Sequence, residues 1–182
     1  MAIEDLMAVL SPPSQPVFTG SVAAWQTVEH DLGLTLPSDL HDMCVRYGSG
    51  QVVGITIYNP FSPHYQQVVR NMLTIFRGLR DDLGQAAVPF LLFPERSGLF
   101  PVGKEDHGGT LFWLTDGEPD QWPLVLTDTT FKYEQLKMSL TMFLSKLVKK
   151  QIDCLLWDRS ELVKCYPEIR FLPFSACDRS DG

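Results

Sequence analysis

The sequence predicts an α+β fold, a single domain with a mainly antiparallel sheet packed against several helices. Three observations predict it. Amphipathic helical stretches fill much of the first half, and strand-like runs cluster between residues 99 and 127. One more amphipathic helix closes the order. The segments joining those runs are short and turn-forming, which favours antiparallel neighbours, because parallel strands need long crossovers.

Each element has its own signal. Ala2 to Leu10 suits a short helix, and Ser11-Pro12-Pro13-Ser14-Gln15-Pro16 breaks it. Residues 1–17 therefore read as a helix and Pro-rich linker appended to the main domain. Val22, Trp25, Val28 and Leu32 recur at steps of three and four, and Gly33 stands where a left-handed residue ends a helix. Pro37 opens a second helix, with Leu40, Met43, Cys44 and Tyr47 on one face and Gly48 at its end. Val52 to Tyr58 reads as one strand, stopped by Asn59-Pro60. Ser62 as cap and Pro63 as first residue start a long helix carrying Tyr65, Val68, Val69, Met72, Phe76, Leu79 and Leu83, up to Gly84. Strands follow at Leu99 to Gly103, Thr110 to Leu114 and Leu124 to Thr127. The last helix turns Leu140, Phe143, Leu144, Leu147 and Val148 to one side, with Lys146, Lys149 and Lys150 near its negative end. Ile169 to Phe174 suits an edge strand, and the tail from Asp178 is polar.

Composition narrows the function. With 45% hydrophobic and 20% charged residues the chain is that of a folded protein. A formal net charge of −7 repels phosphate backbones, so nucleic acid is a poor partner and a basic protein a better one; the same charge also serves plain solubility. Cys44, Cys154, Cys165 and Cys177 form no C-x-x-C pair and no zinc spacing with His. The start of the chain carries acids before its apolar stretch, unlike a signal peptide, and no apolar run approaches the roughly 20 residues of a membrane span. The expectation is a reduced, cytoplasmic protein.

Candidates for chemistry are few. Gly48-Ser49-Gly50-Gln51-Val52-Val53-Gly54 is glycine-rich, but it follows a helix and enters a strand, the reverse of a phosphate loop. No G-x-S-x-G elbow is present. His30 and His41 fall on polar helical faces. His107 lies in a turn beside Glu105 and Asp106, where a carboxylate next to an imidazole suits acid–base work and a solvated hairpin suits the same residues. Asp116, Glu118 and Asp120 share one loop, yet a calcium site needs more oxygens and a distal Glu. No cofactor or metal is expected. Trp25 reads as core, Trp113 suits either face of its strand, and Trp122 follows a polar loop and is the tryptophan most suited to partial exposure.

The order of residues adds a resemblance. Trp25-Gln26-Thr27-Val28-Glu29, then Leu32 through Leu40 with Leu36-Pro37 in it, then Tyr47-Gly48-Ser49-Gly50, resembles the opening of the SUKH superfamily. Leu99-Phe100-Pro101-Val102-Gly103 and Asp106 through Trp113 are similar to its central strand pair. Asp116 through Pro123 and the helix from Leu140 to Leu147 are similar to the family's later segments. His107 departs from the family, which often has Asn there. The resemblance implies a SUKH-like domain over residues 18–152, with 153–182 as a C-terminal extension packed on the same domain. It also implies a protein-binding role. In bacterial members that role is immunity, the neutralisation of a polymorphic toxin, and in the yeast cell-wall-assembly regulators it is regulation.

Together these readings point to a non-catalytic immunity protein facing a basic toxin domain. The alternative is a regulatory or scaffold module for signalling or cell-wall-synthesis proteins, and a third reading is a hydrolase using Asp106 and His107. The expected binding residues are Asp106, Asp116, Glu118, Asp120 and Trp122, since loops and rim acids carry recognition more often than packed helices. The sequence leaves the oligomeric state open.

Overall fold

A computed structural model describes residues 2–152, 154, 156–157 and 169–174. Five helices are present: α1 (Ala2–Met7), α2 (Val22–Leu32), α3 (Ser38–Tyr47), α4 (Tyr65–Leu83) and α5 (Leu140–Val148). The strands are β1 (Gly50–Val52), β2 (Ile55–Ile57), β3 (Leu99–Glu105), β4 (Thr110–Leu114), β5 (Leu124–Thr127), β6 (Tyr133–Leu136) and β7 (Phe171–Pro173). They form one seven-stranded sheet in the order β6-β5-β4-β3-β2-β1-β7, and every neighbouring pair is antiparallel. The fold is α+β, as the order of elements predicts.

The centre of the sheet is covered on both faces. Adjacent residues of β4 point to opposite sides. Phe112 meets Phe76 of α4 edge-on, while Trp113 lies against Trp122. That is why β4 and β5 read as nearly unbroken apolar runs rather than alternating ones. Pro101 sits inside β3 although it has no N–H to give. The register shifts between Pro101 and Gly103, and such a bulge is where a strand tolerates proline.

Several expectations need correction. The first helix is no appendage. Ile3, Leu6 and Leu10 fall on one helical side, and Leu6 and Leu10 are 0% and 1% exposed within the same core as the sheet. Two bonds fasten the segment further: the Tyr47 hydroxyl donates to the Leu10 carbonyl (2.6 Å), and the Ser145 hydroxyl to that of Asp5 (3.2 Å).

The stretch from Val52 to Tyr58 is not one strand: Val52 ends β1, and a turn at Val53-Gly54 leads into β2. Val53 and Gly54 have φ of 49° and 74°, the pair of positive values that a type I′ turn requires. The long helix starts at Tyr65, not at Ser62-Pro63. His64 adopts φ 65°, and the Ser62 hydroxyl bonds that of Ser49 (2.6 Å) instead of capping. Val68 and Leu83, assigned to its buried face, are exposed, and Leu73 is buried in their place. Val22 is likewise 73% exposed, so α2 is held mainly by Trp25, which packs edge-on against Phe61.

Other expectations stand. Gly33 ends α2 at φ 63°. Leu40, Met43, Cys44 and Tyr47 are all buried, and β7 pairs with β1 at the sheet edge. The polar tail from Asp178, Cys165 and Cys177 lie outside the described residues. No helix among the described residues is long and apolar enough to cross a membrane.

Candidate functional site

The loop between β4 and β5 carries four of the five expected binding residues, and the fold holds it at several points. At its start, the Thr115 N–H and hydroxyl both donate to the Gly98 carbonyl (3.0 and 2.8 Å), and Ser97 donates to Asp116 Oδ1 (2.9 Å). Gly117 turns the chain at φ 79°, and Pro119–Gln121 forms one 3-10 turn. At its end, the Trp122 indole N–H donates back to the Gly117 carbonyl (3.0 Å), closing the loop on itself.

Trp122 is therefore not the partly exposed residue expected. It is 5% exposed, with its ring 6.3 Å from that of Trp113. A buried indole needs a partner for its N–H, and the loop carbonyl supplies one. Trp122 anchors the loop from below, and the acids are what the loop presents.

Those acids differ in what they do. Asp116, Glu118 and Asp120 are all exposed. Asp120 Oδ1 also accepts the Ser38 N–H (2.6 Å), at the start of α3. That helix has Pro37 at its cap position, which offers no side-chain acceptor, so Asp120 fills the role from another part of the chain. One residue further on, Asp39 Oδ2 accepts the N–H of Thr141 (3.0 Å) in the first turn of α5. Burial pushes the Asp39 carboxyl above its usual value, opposed by the bonds from Thr141 and Ser139, with the nearby Asp120 charge adding to the rise.

Beside the loop lies an open hollow of about 380 Å³. Asp116, Asp120, Gln121 and Trp122 line one side, and Gln135 and Lys137 from the end of β6 line another. Neither Gln135 nor Lys137 is legible in the sequence as part of a site, because β6 itself is not. Its sequence, Tyr-Glu-Gln-Leu, has no apolar run and forms a strand by pairing with β5.

Asp106 does not join this group. It is exposed in the β3–β4 turn, where its backbone N–H donates to the Gly54 carbonyl (3.0 Å). The length of β4 separates that turn from the loop of Asp116, about 14 Å at ordinary strand rise. The carboxylate that faces His107 is Glu105, whose Oε2 accepts the His107 N–H (2.9 Å) and whose Oε1 meets His107 Nδ1. Glu105 is 6% exposed. The glycine-rich stretch after α3 is also closed: Ser49 is buried, bonded to Ser62 by its hydroxyl and to Phe174 by its carbonyl.

Compared with family models, with characterised proteins and with solved structures, the chain matches none.

Proposed function

We propose that this chain is a non-catalytic binding domain of the cytoplasm, an immunity protein that neutralises a toxin by covering a basic functional surface. The observation that carries the reading is the stapled loop, which holds Asp116, Glu118 and Asp120 in solvent, with Asp116 and Asp120 lining an open hollow. A rim fixed before binding loses little conformational freedom on docking, and its negative charge speeds capture of a basic partner. The net charge of −7 and the ordered resemblance to SUKH proteins support the same reading.

The test is capture from lysate of the source organism with this chain as bait, at low and moderate salt, followed by binding measurements with the purified partner. The expected result is one stoichiometric basic protein, released as salt rises, whose affinity falls at least tenfold for the double substitution Asp116→Lys, Glu118→Lys. A purified partner bound equally well by that variant would overturn the placement of the surface. Recovery of several signalling or cell-wall proteins without salt dependence would move the reading to a regulatory or scaffold module.

A further inference from the structure

The hollow beside the acidic loop opens onto a strand edge that, among the described residues, pairs with no further strand. β6 ends the sheet. The direction of its backbone groups follows from two bonds outside the strands: Leu114 N–H to the Pro123 carbonyl, and Asp128 N–H to the Lys132 carbonyl. In an antiparallel ladder, bonded pairs recur every second residue. Continuing from the first bond, Val125 and Thr127 of β5 turn their groups toward β4. Continuing from the second, Leu126 and Leu124 bond to Glu134 and Leu136. The N–H and C=O of Tyr133 and Gln135 therefore point away from the sheet.

The two ends of that edge differ. Near Glu134 it is flanked by the chain itself, since the Glu134 carboxylate accepts the Leu156 N–H (3.2 Å) and the Cys154 thiol (3.4 Å). At Gln135 the edge is exposed, and among the described residues no other segment bonds its backbone. Gln135 and Lys137 also line the hollow, opposite Asp116 and Asp120. An open edge is a template for another strand.

We propose that the edge of β6 at Gln135 receives an extended, basic segment of the partner by strand addition, with a side chain entering the hollow toward Asp116 and Asp120. This rests on the protein-binding reading and names the chemistry of the partner. Main-chain bonds to Gln135 hold the segment, and its alternate side chains face the hollow because strand side chains repeat every two residues. Charge selects the segment: the carboxylates of Asp116 and Asp120 face it, and among the described residues Lys137 is the one cation lining the hollow. The short length of β6 and the lysines that flank it, Lys132 and Lys137, discourage indiscriminate pairing.

The test uses the full chain, ¹⁵N-labelled, titrated with an eight-residue peptide alternating lysine and valine, and with a glutamate–valine control. The lysine peptide is expected to shift the Gln135 and Lys137 amides and the Trp122 indole N–H, and the control is expected to leave them in place. Gln135→Pro removes the outward N–H without touching a bond to β5, so it folds and binds the lysine peptide roughly tenfold more weakly. Gln135→Ala keeps that N–H and binds the lysine peptide more tightly than Gln135→Pro does. Absence of binding, equal response to both peptides, shifts centred on β7, or unchanged affinity in Gln135→Pro would each overturn the proposal. Self-association through the edge, lost in Gln135→Pro, would assign it to a second copy instead. A captured partner that binds Gln135→Pro as tightly as the parent sinks this assignment and leaves the protein-binding reading standing.

Discussion

Replacing Trp122 separates an anchor from a contact. Its ring is 5% exposed and lies against Trp113, and its N–H closes the loop on the Gly117 carbonyl. Trp122→Ala removes most of a large buried side chain, a change that costs about 3–5 kcal/mol. Trp122→Phe keeps a ring against Trp113 but loses the indole bond and some contact area, which together cost about 2 kcal/mol. At about 2–4 °C per kcal/mol for a chain of this size, the Phe variant should melt about 4–8 °C lower, and the Ala variant about 6–20 °C lower. Calorimetry measures both, and acrylamide quenching of tryptophan fluorescence reports whether the residue is shielded. Loss of the indole bond should also speed exchange of the amides from Asp116 to Gln121. If Trp122→Ala melts within about 2 °C of the parent, the ring is not anchoring the loop. Loss of partner binding at unchanged melting temperature would instead make it a direct contact.

Three further outcomes are expected. Leu6→Ala should lower stability by about 3 kcal/mol in urea unfolding, because Leu6 is fully buried against the common core; a cost below about 0.5 kcal/mol would return the first helix to the status of an appendage. Asp120→Ala should cost about 1 kcal/mol through loss of the acceptor for Ser38 N–H, with Asp120→Asn close to neutral, whereas Glu118→Ala should be silent in the same assay. Asp39 has a folded-state pKa above the ordinary 3.8, chiefly through burial, so the folded state binds the extra proton in the interval just above that value. Its contribution to stability therefore falls as pH rises through that interval, and the urea midpoint of the parent relative to Asp39→Asn should fall with it; a difference independent of pH would refute the assignment.

Much of the fold is legible because its signals are local. The helical spacing of Leu40, Met43, Cys44 and Tyr47, the end signal at Gly33, and the apolar runs of β3, β4 and β5 need only short windows of sequence. The illegible parts depend on distant partners. β6 is polar and exists through β5, and Ser62 meets Ser49 rather than the start of α4. The hairpin at Val53-Gly54 has a local clue in Gly54, but Val53 is an unusual residue for positive φ and hides the turn. At the site, the three loop acids are legible because turns expose them. The burial of Trp122 is not, because its anchoring carbonyl lies within the loop it follows. The separation of Asp106 is hidden too, since proximity to a turn says nothing about which end of the sheet that turn occupies.

The bond from Asp120 to Ser38 divides the rim into two kinds of residue. Asp116 and Glu118 are exposed, and the described bond at the former comes from the half-buried Ser97. Asp120 is tied to the start of α3, and Asp39 in that same turn reaches the start of α5. A designer seeking to redirect the surface toward a new partner can therefore vary position 118 freely and position 116 at the cost of the bond from Ser97, while changes at 120 travel through two helix ends into the body of the protein. Specificity and stability are separable at Glu118 and joined at Asp120.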